Sequence, residues 1–210
     1  MRDLQFALVR EGNSDDGLVA LIRVLLARTS VPGVIGGRRT YKGTTKEKLE
    51  QVLAEDVVPD LIFVHRDSDA RNPAVRYTEI QGAADELDCT DKIVAVVPVQ
   101  ETEGWLLTDE SAIRTVVGRP GGRAALGLPP IRQIEATANP KEILKEACKI
   151  ASEKSGARLQ KVAHQFPRHR ATLLERLDVD GPVNQLVSWR RFVEDLSTAA
   201  TRALSDISGT

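Results

Sequence analysis

The sequence has few of the residues that mark disulfide frameworks, zinc ribbons or membrane spans. Its 210 residues include only two cysteines, Cys89 and Cys148, which are far apart. This pattern excludes a zinc ribbon and a disulfide framework and fits a reducing cytoplasm. No apolar run approaches the ~20 residues that a membrane helix needs. Because the chain begins with a strand-like run and not with an apolar signal core, we expect a cytoplasmic protein without a membrane partner.

The sequence also lacks an excess of charge of either sign. It contains 29 Lys and Arg residues and 30 Asp and Glu residues, which gives a formal net charge of −1. This balance argues against a general nucleic-acid coat protein but leaves a local basic face open. The length suits one large domain, or a domain with a sizeable appendage, and is enough to bury a substantial core.

The first half of the sequence alternates short apolar runs with amphipathic segments. Within Gly17–Ala27 the apolar residues recur every three or four positions, which is typical of a helix with one buried face. Ser14 is the candidate N-cap of that helix. The alternation predicts an α/β fold, Rossmann-like, with a mostly parallel sheet covered on both faces. The runs predicted as strands are Leu4–Val9, Val31–Ile35, Leu61–Val64 and Ile93–Val97.

The second half of the sequence is expected to be helical. After a loop at Gly118–Pro130, a helix begins with Asn139 as its N-cap and Pro140 at its first position. A final helix is expected from Pro182 to Leu204, with an aromatic stripe that packs on the sheet. We therefore divide the chain into an α/β domain at 1–110 and a helical C-terminal extension at 111–210, which together form one compact unit.

Acidic side chains follow three of the predicted strands. Asp67 and Asp69 follow the third strand, and on an extended chain residues i and i+2 point to the same side. Glu11 follows the first strand, and Glu101 and Glu103 follow the fourth. Since the carboxyl ends of parallel strands share one edge of the sheet, these acids are expected to meet there. Carboxylates in such a cluster repel one another unless a cation intervenes, and oxygen ligands suit Mg²⁺ or Mn²⁺.

The sequence also contains basic residues that could neutralise the acids at this edge without a metal. Arg38 and Arg39 lie in a basic loop expected at Gly36–Gly43, and Lys141 opens a helix of the second half. These residues are candidates for binding a substrate phosphate. The alternative is that they neutralise the acids in a salt-bridged rim, with Asp67 and Asp69 in an ordinary polar turn.

Three further side chains near the acids have simpler interpretations. His65, inside the third strand, is interpreted as a packed or supporting residue and not as a catalytic base. Asp15 is interpreted as a charge in the first turn of a helix, although it could lie near a metal. Trp105 is interpreted as a core residue that anchors the following helix.

Several of these motifs together resemble the TOPRIM domain of topoisomerases, primases and the nucleases of the OLD (overcoming lysogenisation defect) group. The stretch that starts at Glu11, Glu-Gly-Asn-Ser-Asp, is similar to the E-G-x-[ST]-[DE] start of stand-alone TOPRIM-like proteins, and Asp67-x-Asp69 matches their acidic pair. The stretch Glu101-Thr-Glu103-Gly-Trp-Leu-Leu-Thr-Asp109 resembles their E-x-E-x-W-L-L-x-D signature. The likeness covers most of the chain.

The resemblance implies metal-dependent phosphoryl transfer on nucleic acid. By this analogy Asp67 and Asp69 would hold Mg²⁺ or Mn²⁺, and Glu11 would be a metal ligand or general acid/base. Glu103, with Glu101, would complete a second metal position, so that Glu11, Asp67, Asp69 and Glu103 would be catalytic. DNA is expected as the partner in preference to RNA, and a homodimer remains open.

The chain departs from the larger members of that group. It has no room for the catalytic-tyrosine domain of a topoisomerase, no zinc module of a primase and no phosphate-binding loop of an ATPase. An ATPase would therefore be a separate protein partner, for instance in antiviral defence. Two other interpretations stay open: a non-catalytic interaction subunit with the same fold, and a phosphatase or phosphoacceptor domain that uses an Asp nucleophile.

Overall fold

Four parallel strands form the centre of the fold. The computed structural model describes residues 2–208, and within them the strands are β1 (Leu4–Val9), β2 (Val34–Arg39), β3 (Leu61–His65) and β4 (Ile93–Val96). Their order across the sheet is β2-β1-β3-β4, and every neighbouring pair is parallel. The predicted α/β class and parallel sheet are confirmed, and the arrangement is compatible with a Rossmann-like fold.

Helices connect the strands and make up the second half of the described chain. Short 3₁₀ turns at Asn13–Asp15, Thr90–Lys92 and Pro182–Gln185 lie between them. The helices are α1 (Leu18–Leu26), α2 (Thr45–Leu53), α3 (Ala74–Glu86), α4 (Glu103–Leu106), α5 (Glu110–Val116), α6 (Ile131–Ile134), α7 (Pro140–Ala151), α8 (Gly156–His164), α9 (Phe166–Glu175) and α10 (Val187–Ser208).

The alternation of side chains along the strands gives the sheet two buried faces. On one face Ala7 and Ile62 pack against α2 and α3. On the other face Phe6 and Phe63 pack against α1 and α10. All five residues of β3 are buried, as expected for a central strand covered on both sides.

Aromatic side chains join the second half of the chain to the sheet. The ring of Trp105 lies 5.1 Å from that of Trp189 and 5.9 Å from that of Phe192, measured between centroids. Phe192 in turn contacts Phe63 of β3 edge to face at 6.4 Å. Trp105 also donates a hydrogen bond from Nε1 to Ser188 Oγ at 2.9 Å. The interpretation of Trp105 as a core anchor and of the final aromatic stripe as core packing is therefore confirmed.

The second strand differs from its prediction. It spans Val34–Arg39 and not Val31–Ile35, so Arg38 and Arg39 belong to a strand and not to a basic loop. The glycines that suggested a loop have a packing reason. A Cβ added at Gly36 would lie 2.1 Å from the carbonyl oxygen of Phe6, so a side chain there would push β2 away from β1.

The beginnings of several helices also differ from prediction. Ser14 does not cap α1, because it lies in the 3₁₀ turn that precedes the helix and makes no capping hydrogen bond. Asn139 precedes α7, but it has a left-handed backbone (φ 55°) and its side chain caps nothing. The last helix begins at Val187 because the carboxylate of Glu135 accepts the backbone N–H groups of Val187 and Ser188, at 2.9 and 2.8 Å.

The helix α8 was missing from the prediction altogether. Leu159, Val162 and Ala163 do recur at helical spacing, but this repeat is short and only Val162 of the nine residues is buried. No helix among the described residues combines the length and the apolar character that crossing a membrane requires.

Candidate active site

The sheet order places a crevice at the carboxyl ends of β1 and β3. The chain leaves β1 towards one edge of the sheet and returns to β3 on the other side of β1. Ligands of open α/β sheets bind outside the carboxyl ends of the strands at such a reversal. Glu11 follows β1, Asp67 follows β3, and Glu101 and Glu103 follow β4. We call the side chains of Glu11, Asp67, Glu101 and Glu103 the carboxylate edge.

Asp67 is held in one orientation by its neighbours. Its Oδ1 accepts hydrogen bonds from the backbone N–H and the hydroxyl of Thr102, both at 3.0 Å, and lies 3.4 Å from Nε2 of the buried His65. Burial would raise the pKa of Asp67, but the interactions with His65 and Thr102 outweigh it and hold the pKa below its ordinary value. Asp67 is therefore kept as a carboxylate.

Glu11 links the ends of the two central strands. Its Oε2 accepts the backbone N–H of Asp67 at 3.2 Å and lies 3.6 Å from Nε of Arg66. Lys48 of α2, which sequence reasoning missed, donates to the carbonyl of Arg10 at 3.1 Å. Burial, followed by the charge of Arg66, lowers the pKa of Lys48, while the carboxylate of Glu11 opposes this shift. A phosphate bound beside Glu11 would therefore lie near two cations, Arg66 and Lys48.

Glu101 connects the carboxylate edge to the start of α7. Its Oε2 accepts the backbone N–H of Lys141 at 3.0 Å. Burial raises the pKa of Glu101, and the negative charges of Glu103 and Asp67 raise it further, against the effect of the Lys141 hydrogen bond. Burial is the main cause of the raised pKa, and the charges of Glu103 and Asp67 contribute the smaller part.

Asp69 does not share the orientation of Asp67. The extended conformation ends with β3, and Asp69 has a left-handed backbone with φ 52°. Its Oδ2 accepts a hydrogen bond at 2.9 Å from Arg76, which also donates to the carbonyl of Asp67. The expectation that the two side chains point together therefore fails at Asp69.

Glu103 is buried in an ion pair that the sequence did not predict. Arg170 of α9 donates from Nε to Glu103 Oε1 at 2.7 Å and from a terminal nitrogen to Asp15 Oδ1 at 2.8 Å. Its third nitrogen donates to the carbonyl of Ser14. All three charged side chains are at most 6% exposed. We call Asp15, Glu103 and Arg170 the buried triad.

His65 lies between Asp67 and the buried triad. Its Nε2 is 2.9 Å from the hydroxyl of Thr102, and its Nδ1 is 3.6 Å from Asp15 Oδ2. The Nδ1 atom is buried and has no hydrogen-bond partner among residues 2–208. The ring is fully buried, in agreement with the interpretation of His65 as a supporting residue.

The predicted phosphate-binding cations have other contacts. Arg38 lies 3.3 Å from the carboxylate of Asp16, and Arg39 donates two hydrogen bonds to Glu55, at 2.6 and 2.8 Å. Lys141 meets the carboxylate edge through its backbone, as described for Glu101. The assignment of phosphate binding to these three side chains stays a prediction.

The donor atoms of the edge are of the type that Mg²⁺ and Mn²⁺ prefer. In the described residues, Oε1 of Glu11, Oδ2 of Asp67 and Oε1 of Glu101 accept no hydrogen bond. These oxygens have not converged, since the described part of the chain contains no group of three His, Cys, Asp or Glu side chains that could hold a metal ion. The carboxylate oxygens are therefore suitable ligands for either metal, but their side chains would have to rotate to bind the ion together.

Comparisons with known proteins identify no relative: no family model, no curated protein and no solved structure matches the chain.

Proposed function

We propose that the chain is a Mg²⁺- or Mn²⁺-dependent hydrolase of nucleic-acid phosphodiesters with its site at the carboxylate edge. One observation carries the proposal. Glu11, Asp67 and Glu101 follow three neighbouring parallel strands at the reversal of the sheet, and each keeps one oxygen free of hydrogen bonds in the described residues. The raised pKa of Glu101 adds that this edge favours a cation.

Glu11, Asp67 and Glu101 would hold the metal through these free oxygens. When bound, the metal would supply a water of lowered pKa and a positive charge for the phosphoryl oxygens. Glu103 is already engaged by Arg170. In this proposal Glu103 therefore does not bind a metal and supports the site as a member of the buried triad. Arg170 supplies part of the positive charge that a second metal would bring.

The surrounding residues have roles that follow from their contacts. His65 and Thr102 keep Asp67 ionised and fix its orientation. Glu11 would hold the metal through Oε1, while its Oε2 stays on the backbone N–H of Asp67 and fixes the orientation of the side chain. Lys48 and Arg66, beside Glu11, can neutralise the phosphate as negative charge develops on it.

The wider setting follows from the resemblance of the motifs. We propose that the α/β part is a TOPRIM domain of the OLD type. Since the chain has no phosphate-binding loop of an ATPase, it would act beside a separate ATPase, and antiviral defence is the natural context. The TOPRIM type, the ATPase partner and the defence context are proposed from the resemblance of the motifs and not from the geometry of the site.

The test is cleavage by the purified chain of supercoiled plasmid and of labelled RNA, with Mg²⁺, with Mn²⁺ and with EDTA. We expect cleavage with metal, and a loss of at least about 100-fold in Asp67→Asn. The matched control is Asp91→Asn, because Asp91 is an exposed carboxylate at the opposite end of β4. Titration calorimetry on the same proteins should show metal binding that Asp67→Asn weakens. Equal cleavage by Asp67→Asn and the unsubstituted chain would refute the proposal.

A second candidate is a non-catalytic interaction subunit with the same fold. The buried triad favours it, because Arg170 already forms ion pairs with two acids near the edge without any metal. The absence of a converged group of three ligands in the described residues points the same way. Under this alternative, calorimetry would detect no binding of Mg²⁺ or Mn²⁺, and no cleavage would occur at any metal concentration.

A further inference from the structure

One segment of the chain is basic without any acidic residue. Residues 154–174 contain Lys154, Arg158, Lys161, Arg168 and Arg170 and no Asp or Glu. With 30 acidic residues in 210, about three would be expected in a stretch of this length. The segment covers α8 and nearly all of α9. The whole chain is therefore nearly neutral, whereas residues 154–174 form a positively charged segment.

Four of these cations are exposed and free of partners in the described residues. Lys154, Arg158, Lys161 and Arg168 are all exposed, and none of their side chains takes part in a described ion pair or hydrogen bond. The preceding helix α7 differs, since Lys145 and Lys149 each pair with a glutamate three residues earlier. We call the four exposed side chains the basic surface.

Two cations of the basic surface, Arg168 and Lys154, lie near the ring of His169. The pKa of His169 is lowered by burial and then by the charges of Arg168 and Lys154, which places both cations near one ring. Like charges at short range repel one another. The core needs only Val162 from α8, so the fold does not require these charges. An anionic partner would relieve the repulsion.

The position of the surface connects it to the proposed site. Arg168 is two residues before Arg170, the member of the buried triad that reaches Glu103 and Asp15. Helix α9 also packs against the 3₁₀ turn that follows β1. Helix α9 therefore lies beside the carboxyl ends of the strands, with Arg170 on its buried side and Arg168 on its exposed side.

We propose that the basic surface binds the phosphate backbone of a nucleic acid and holds it for the carboxylate edge. The choice of nucleic acid over another polyanion rests on the proposed function, while the surface itself rests on its unpaired charges. Contacts between Lys or Arg and phosphate provide affinity without base recognition, so binding should depend strongly on salt and weakly on sequence. The surface would perform the phosphate binding expected from the sequence for Arg38 and Arg39, which have acidic partners instead.

The experiment is fluorescence anisotropy of labelled duplex DNA, single-stranded DNA and RNA with the full chain in EDTA, over a range of salt concentrations. EDTA removes any metal, so binding is measured whether or not the chain cleaves. The test variant is Arg158→Gln/Lys161→Gln/Arg168→Gln. The control is Lys42→Gln/Arg123→Gln/Arg132→Gln, which removes three exposed cations outside the segment that likewise have no described side-chain partner.

The test variant should lose affinity on the order of 100-fold or more at about 0.1 M salt, and its salt slope should fall by about three. The control should bind as the unsubstituted chain does. Absence of nucleic-acid binding, equal binding by both triple variants, or tighter binding to vesicles of anionic lipid would overturn the proposal. If the chain binds through this surface but cleaves nothing with Mg²⁺ or Mn²⁺, only the proposed function fails.

Discussion

Arg170 is the single side chain on which the polar interior near the site depends. It forms ion pairs with two carboxylates that are almost fully buried, on the turn after β1 and at the start of α4. Removal of one partner from such a group leaves uncompensated charge in the interior, which costs far more than the intact group contributes. The buried triad should therefore be more sensitive to substitution than the exposed ion pairs of the surface.

Replacement of Arg170 by methionine should destabilise the fold by about 3–5 kcal/mol, because Asp15 and Glu103 would remain buried without a cation. The measurement is the free energy of unfolding in urea at neutral pH. Arg168→Met is the control from the same helix, and since Arg168 is exposed its effect should stay within about 0.5 kcal/mol. The triple variant Arg170→Met/Asp15→Asn/Glu103→Gln should recover part of the loss. A similar stability of the two single variants would contradict the role assigned to the triad.

The buried position of Arg170 was not predicted from the sequence. Positions 166, 170, 173 and 174 form one apolar-type stripe of α9, with Arg170 in place of a hydrophobic residue. A charge on such a stripe indicates a buried partner, and this signal was available. The left-handed backbone at Asp69 was not, because its conformation depends on hydrogen bonds to Gln100 and Arg76 from other parts of the chain.

At the scale of elements, α7 begins on a carboxylate that belongs to another part of the fold. Asn139 provides no side-chain cap, and Glu101 accepts the N–H of Lys141 in its place. A negative charge is favourable near a helix N-terminus. Yet burial and the neighbouring carboxylates raise the pKa of Glu101, so the ionised form is disfavoured on balance. This element contact therefore carries a stability cost at neutral pH.

We expect Glu101→Gln to be more stable than the unsubstituted chain at pH 8 in EDTA. A group with a raised folded pKa contributes stability below its unfolded pKa of about 4.3 and loses it as pH rises through the folded pKa. The glutamine can still accept the Lys141 hydrogen bond but has no charge to ionise. The advantage of the variant in urea unfolding should therefore grow from pH 4 to pH 8.

The control for this prediction is Glu142→Gln, in the exposed first turn of the same helix. It removes an uncrowded charge that favours the helix, so it should leave stability at pH 8 unchanged or lower it slightly. A lower stability of Glu101→Gln at pH 8 would show that the helix-capping charge outweighs the crowding of the carboxylates.

The prediction of elements from sequence succeeded where packing controls the pattern. The strands β1 and β3 are buried on both faces, and β4 is buried on one face and half-buried on the other, so their apolar runs define them almost to the residue. The edge strand β2 was misplaced because Gly36 indicates a loop in sequence but serves close contact with Phe6 in the sheet. The placement of Glu11, Asp67, Glu101 and Glu103 after the carboxyl ends of the strands followed from parallel topology alone, whereas their hydrogen bonds did not.

At the scale of the whole molecule, the two halves of the chain share one apolar core. Residues of the sheet, including Phe6 and Phe63, lie in the same buried cluster as Leu144, Leu173 and Trp189 from the helices of the second half. The buried triad adds a polar link between α9 and the loops of the sheet. A sheet deprived of the second half would keep α1 on this face but would expose to water the apolar residues that the helices of the second half cover.

The chain should therefore unfold in one transition, despite the division at residue 110. Tryptophan fluorescence reports on Trp105 and Trp189, one from each half, and circular dichroism reports on all helices. In urea the two signals should give the same midpoint. A chain truncated after residue 110 should fail to fold. Two separate transitions, or a folded truncated chain, would show that the halves are independent domains.

The buried triad restricts the substitutions that this chain can accept during evolution. Its members are 155 and 67 positions apart along the sequence, measured from Arg170 to Asp15 and to Glu103. Loss of Arg170 leaves both carboxylates without a cation, and loss of either carboxylate leaves Arg170 with one ionic partner, so the effects of the three substitutions are not additive. Positions 15, 103 and 170 should therefore be inherited as a set, either retained together or replaced together.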